Sequence, residues 1–120
     1  MYENGTALVP PPRTAREDRY QHHDYYGVDD LLTPEHLLAR DAVRQWVKAE
    51  VSPIIEGYAD KAQCPTHLFK GLAEIGAFGP SLPAEYGCGG MDEIAYGIIM
   101  QELERGDSGI RYMASVQGSL

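Results

Sequence analysis

Arg111 and Ser115 stand four residues apart in the segment QELERGDSGIRYMASVQGSL, residues 101–120. From Gly109 onward their neighbours are mostly apolar or small. If this stretch is helical, the two side chains share one face, one turn apart. A guanidinium in such surroundings is costly to strip of water unless an anion meets it. A protein carboxylate or a ligand carboxylate would serve. Glu104 lies seven residues before Arg111, across the interruption from Gly106 to Gly109. From there it can orient the guanidinium through charge-assisted hydrogen bonds. Spacing alone leaves two readings open: Arg111 anchors a ligand, or it closes a salt bridge where two helices touch.

Other reactive residues point to less. Glu102 and Glu104 are two apart on a helix and face different ways, so they do not make an acid–base pair with Asp107. Glu102 reads as a surface residue or as half of a structural ion pair. Cys88 as a nucleophile would need a base, and no histidine follows it in the chain. His22, His23, His36 and His67 lack metal-ligand spacing and read as solvated or capping histidines. The run Gly87-Cys88-Gly89-Gly90 fits neither a dinucleotide fingerprint nor a P-loop, and no strand precedes it. It reads as a tight connection between helices. No catalytic residue is assigned within this chain.

Helices must position these groups. Thr33-Pro34-Glu35 is a helix start, with a cap, a first-turn proline and an acid suited to the dipole. Leu38, Ala42, Val43, Trp46 and Val47 form the apolar stripe that should follow, and Pro53 should break or kink it. Ile54, Ile55 and Tyr58 extend an apolar face past the bend. A second helix should open near Pro65, bury Leu68, Leu72 and Ile75, and stop at Gly76. Residues 76–91, GAFGPSLPAEYGCGGM, are too rich in glycine and proline for a regular element. A third helix should run from a cap at Asp92 to about Arg105, with Ile94, Ile98, Ile99 and Leu103 apolar and Ala95, Tyr96 and Met100 filling much of the rest. Asp107 or Ser108 should cap a fourth, with Ile110, Met113, Val116 and Leu120 inward. No strand-like alternation of useful length is present, so the fold class is all-α, a helical bundle of four to five helices. Residues 1–23, with Pro10-Pro11-Pro12, read as a flexible arm, and order is expected to begin near Tyr25-Tyr26, packed on the body.

Composition narrows the function classes. The chain has 120 residues, 43% of them apolar, enough for one small core. A formal net charge of −8 at pH 7 argues against nucleic acid or a polybasic membrane contact. No stretch is long and apolar enough to span a membrane. Cys64 and Cys88 read as free thiols in a reducing compartment, although one disulfide between them is possible. Arg13, Arg16 and Arg19 hint at a transit peptide, but Glu3, Glu17 and Asp18 do not suit one. A cytoplasmic bacterial protein is expected, with the mitochondrial matrix as the alternative.

Three stretches resemble the N-terminal helical domain of acyl-CoA dehydrogenases, and among them the glutaryl-CoA dehydrogenases: DYYGVDDLLTPEHLLARDAVRQWV (24–47), LAEIGAFGPSLPAEYGCGGM (72–91), and YGIIMQELERGDSGIR with MASVQGSL (96–111 and 113–120). The loop Pro83-Ala84-Glu85-Tyr86-Gly87 with Gly89 and Gly90 is general to the superfamily, whereas QELERGDSGIR and SVQGSL look like the glutaryl branch. The resemblance covers roughly 24–120. It implies an FAD enzyme with a middle β domain and a C-terminal four-helix bundle, neither of which is in this sequence. The implied reaction is α-proton abstraction from an acyl-CoA thioester by a Glu, with hydride leaving the β-carbon for the flavin. In the glutaryl branch decarboxylation follows, and electrons pass to an electron-transfer flavoprotein; the full-length enzyme would be a homotetramer. Carried over by position, Arg111 matches the arginine that grips the distal carboxylate of the glutaryl chain. Ser115 matches a serine that donates to the same group, and Glu104 the acid that positions the arginine. Tyr112 departs from the branch, which often has serine there, and bears on acyl-chain identity. The alternatives are a general acyl-CoA dehydrogenase in which Arg111 is structural, or a non-catalytic helical interaction module.

Overall fold

The computed structural model describes residues 2–3, 6–7 and 24–119 of the chain, with side chains from 24 to 118. Leu120, expected to point inward, and most of the arm over 1–23 lie outside the described residues. Within the arm, β1 (Tyr2–Glu3) and β2 (Thr6–Ala7) pair antiparallel, Tyr2 opposite Ala7 and Glu3 opposite Thr6. The intervening sequence is Asn4-Gly5, the pair that two-residue hairpins favour. Everything else of regular structure among the described residues is helical.

Helix α1 spans Pro34–Trp46. Its start is a reciprocal cap: Thr33 Oγ1 accepts from the His36 amide at 3.2 Å, and His36 Nδ1 accepts from the Thr33 amide at 3.2 Å. Two otherwise orphaned donors are thereby satisfied. Past Trp46 the helix widens into a π-type turn over Val47–Val51, closed by the Ser52 amide on the Val47 carbonyl at 2.9 Å. Pro53 follows at once. It has no amide hydrogen, and its ring would crowd the carbonyl four residues back in a continued α-helix. The chain therefore turns before α2 (Ile55–Asp60). Helix α3 (Leu68–Glu74) ends at Gly76, whose φ of +74° costs glycine nothing.

Helix α4 spans Glu93–Gly106 and α5 spans Ser108–Ser119, with Asp107 alone between them in extended conformation. Asp92 Oδ1 caps α4 on the Ala95 amide at 2.8 Å, and Asp107 Oδ1 accepts from the Ile110 amide at 3.0 Å. Helix α5 folds back along α4, which brings Gly118 beside the Tyr96 ring. Helix α1 runs alongside α4 in the same direction, because residues at their starts pair with each other and so do residues further along both. The core lies among α1, its π turn, α3, α4 and α5: Val43, Val47, Val51, Leu68, Leu72, Ile99, Leu103, Ile110 and Ala114. Close approach is allowed by Gly106, where a Cβ would strike the Val47 side chain, and by Gly71, where it would lie 2.7 Å from Trp46 Nε1.

Three sequence expectations need correction. Leu38 and Ala42 are exposed; of the expected stripe Val43, and Val47 in the π turn, are buried, and His36 is buried with them. The apolar stripe proposed from spacing was one step too wide, because α1 meets α4 on a narrower face. Ile94 is 54% exposed, since only the 95, 98, 99, 102, 103 face of α4 is covered. Tyr25 and Tyr26 are exposed rather than packed on the body; order there comes from Asp24, whose carboxylate accepts from the amides of Val28 and Asp29 at 2.8 and 2.9 Å.

Candidate functional site

The single-residue joint at Asp107 places the end of α4 against the start of α5, and Glu104 and Arg111 meet across it. Arg111 Nε donates to Glu104 Oε2 at 2.8 Å. One turn further along α5, Arg111 Nη1 donates to Ser115 Oγ at 3.1 Å. Glu104 Oε1 accepts from the Ser108 hydroxyl. The carboxylate thus takes a donor on each oxygen, and its acidity is raised first by Arg111 and then by Ser108, which hold the carboxyl below its usual range. Arg111 Nη2 has no hydrogen-bond partner among the described residues. Its side chain is 35% exposed. Ile110 and Ala114 take the buried positions of α5, and Arg111 sits at the rim of that face. What results is a guanidinium held by protein at Nε and Nη1 and able to donate from Nη2. That is a suitable geometry for receiving an anion. Tyr112 is 61% exposed, and its carbonyl accepts from Ser115 Oγ at 3.3 Å.

A second polar layer stiffens the α1–α4 contact; the sequence offered an ion pair at Glu102 but not the partners that form this layer. His36 is 5% exposed; since Nδ1 accepts from the Thr33 amide, Nε2 carries the proton and donates to the Asp92 carboxylate at 2.9 Å. Asp92 is held below the usual carboxylate range first by the Ala95 amide and then by His36. Eight residues along α1, Arg44 grips Glu102 with Nε at 2.9 Å and Nη2 at 2.6 Å, a two-pronged pair, and Arg105 Nη1 lies 3.4 Å away. Glu102 is thus the structural ion pair of the two readings offered for it, and it is buried. Between these pairs Arg40 donates to Asp29 at 2.9 Å, which raises its pKa further. The signal for Glu102 was present in the sequence: it falls three and four residues after Ile99 and Ile98, on the covered face.

The glycine-rich segment closes on itself. The amides of Gly89, Gly90 and Met91 donate to the carbonyls of Gly79, Leu82 and Pro80 at 3.3, 2.8 and 2.8 Å. A Cβ on Gly89 would lie 2.6 Å from the Pro80 carbonyl oxygen, so glycine is needed for packing. With those donors spent internally, the loop offers no phosphate cradle. Cys64 and Cys88 are both free thiols.

Comparison with known proteins places this arrangement. Residues 33–120 match the family model for the acyl-CoA dehydrogenase N-terminal domain. A probable acyl-CoA dehydrogenase of Bacillus subtilis is 33% identical over 87 residues, covering 71% of this chain and 23% of that protein. The rat mitochondrial short-chain specific acyl-CoA dehydrogenase is 30% identical over 106 residues, covering 88% and 25%. Among solved structures, a glutaryl-CoA dehydrogenase from Mycobacterium smegmatis in complex with FADH2 superposes with a TM-score of 0.75 at 39% identity, over 79% of this chain and 24% of that one. The chain belongs to the acyl-CoA dehydrogenase family, an oxidoreductase family, and has the fold of its N-terminal helical domain. It spans about a quarter of the length of the relatives it matches. FAD is implied for the family, and the amides of Gly89, Gly90 and Met91, spent within the loop, do not cradle a dinucleotide.

Proposed function

We propose that residues 24–120 serve as the N-terminal helical domain of an FAD-dependent, glutaryl-CoA dehydrogenase-like enzyme, and that Arg111 anchors the distal carboxylate of the acyl chain. The substrate is then a dicarboxylic acyl-CoA thioester that undergoes α,β-dehydrogenation and loss of carbon dioxide. The oxidation, the catalytic base and the passage of electrons to an electron-transfer flavoprotein fall to parts of a full-length, homotetrameric enzyme outside this chain. The observation that carries this reading is the arginine held by Glu104 and Ser115 with Nη2 left to donate.

Each partner has a role in selection. Glu104 fixes the plane of the guanidinium through Nε, so little side-chain freedom remains to be lost when an anion binds. Ser115 fixes the rotation of the Nη1 edge. A neutral acyl chain pressed against Arg111 would displace its water and return no hydrogen bond, whereas a carboxylate would return charge-assisted ones. The competing reading, a dehydrogenase of other chain specificity with a structural Arg111, draws on the same Glu104 contact and on Tyr112, whose bulk bears on chain length. Arg111→Met in the full-length flavoenzyme separates the two. Any effect of the substitution on folding is read from flavin content. Turnover of glutaryl-CoA should fall roughly 100-fold in kcat/KM while butyryl-CoA turnover is kept or improved. An equal loss on both thioesters would make Arg111 structural.

A further inference from the structure

Ser108 is the one partner of this cluster to which nothing above gives a role in recognition. It is the first residue of α5, yet the helix does not need its hydroxyl: Asp107 Oδ1 already takes the Ile110 amide, and the Asp107 carbonyl takes the Arg111 amide at 3.1 Å. Its hydroxyl instead reaches back four residues, across the joint, to Glu104 Oε1. The other oxygen of that carboxylate holds Arg111 Nε. A carboxylate gripped at one oxygen only can swing about its last bond, and the guanidinium would swing with it. Gripped at both, it is fixed in plane. Glu104 is 48% exposed at its side chain, so neighbouring protein does not otherwise confine it.

We propose that Ser108 is a positioning residue for Arg111, acting through Glu104, and that it sharpens the hold on the distal carboxylate of a dicarboxylic acyl thioester. The part concerning substrate rests on the function proposed above; the relay from Ser108 to Arg111 does not. Removing the hydroxyl frees the carboxylate to rotate and leaves the guanidinium attached but less well aimed. The expected loss is small, because the bond is at the surface and water competes for both partners.

Two measurements test it. On the full chain, the carboxyl carbon of Glu104 is followed by NMR through an acid titration in the wild type, Ser108→Ala and Ser108→Thr. The Ala variant should titrate at higher pH than the wild type, and the Thr variant, which restores a hydroxyl, should return to it. A purely structural role for Ser108 would shift the melting temperature and leave that titration unchanged, which overturns the proposal. In the full-length flavoenzyme, Ser108→Ala should raise KM for glutaryl-CoA about threefold to tenfold, with kcat and the butyryl-CoA constants unaltered. If Arg111→Met abolishes glutaryl-CoA preference but Ser108→Ala leaves KM as it was, the positioning role is refuted. If the titration moves as expected while neither variant changes the preference, only the Ser108–Glu104 bond stands, and both the positioning of Arg111 for substrate and the glutaryl assignment fall.

Discussion

Glu102→Ala should be among the most damaging single substitutions that leave the apolar core untouched. The Glu102 side chain is 4% exposed and lies between Arg44, 25% exposed, and Arg105, 17% exposed. Removing one partner of a fully buried ion pair costs about 3–5 kcal/mol, because the remaining charge loses its compensation without regaining water. Both arginines here keep part of their surface in solvent and have long stems that can carry the charge outward, so part of that cost is relieved. The expected destabilisation is about 2–3 kcal/mol, which for a domain of this size lowers the melting temperature by roughly 10–20 °C. Urea unfolding at neutral pH measures it. Glu74→Ala is the control: Glu74 also has a basic partner, Lys70 at 3.8 Å, but the two side chains are 66% and 86% exposed. That variant should stay within about 0.5 kcal/mol of wild type. If Glu102→Ala did the same, burial would not be what gives the Arg44–Glu102 contact its weight, and the view of α1 and α4 as clasped by polar pairs would be wrong. Arg44→Ala combined with Glu102→Ala should cost less than the sum of the two single changes, since the first removes the contact that the second would break.

Two further outcomes follow from the geometry. Gly71→Ala places a methyl 2.7 Å from Trp46 Nε1 and 2.8 Å from its Cζ2; overpacking of this kind costs about 1–3 kcal/mol, and the emission of this single tryptophan should shift in the folded variant, whereas an unchanged spectrum and stability would place the two helices further apart than stated. Asp92 has a folded-state pKa below its ordinary value of 3.8, so its charge supports the fold above that pH and the support is lost as pH falls through the lower folded value. Asp92→Asn keeps a capping oxygen but no charge; its melting temperature should lie below wild type at pH 7, with the gap closing as pH falls through the lowered folded value. A gap independent of pH would show that the carboxylate charge is not involved.

The helical plan was largely legible from local chemistry. Thr33, Pro34, Gly76 and Asp92 announce their boundaries because capping and positive φ depend on residues adjacent in sequence. Pro53 announced a break but not its form, since the π turn before it satisfies the backbone by a longer bond that no residue type marks. Which apolar residues would be covered was less legible. Leu38 and Ile94 fit helical spacing as well as Val43 and Ile98 do, and only the partner helix decides between them. The polar clasp was hidden for the same reason, because His36 and Asp92 are 56 residues apart and Arg44 and Glu102 are 58 apart. The Glu104–Arg111–Ser115 cluster was readable because all three are near neighbours in sequence. Its setting was not: the rim position of Arg111 depends on how α5 rolls against α4.

The central claim is that Arg111 meets the far carboxylate of the acyl group. A crystal structure of the full-length flavoenzyme with glutaryl-CoA bound measures this directly. A carboxylate oxygen should lie about 2.7–3.0 Å from Arg111 Nη2, with Nε still on Glu104 and Nη1 still beside Ser115. A distal carboxylate bound elsewhere, with Arg111 and its two partners undisturbed, would contradict it.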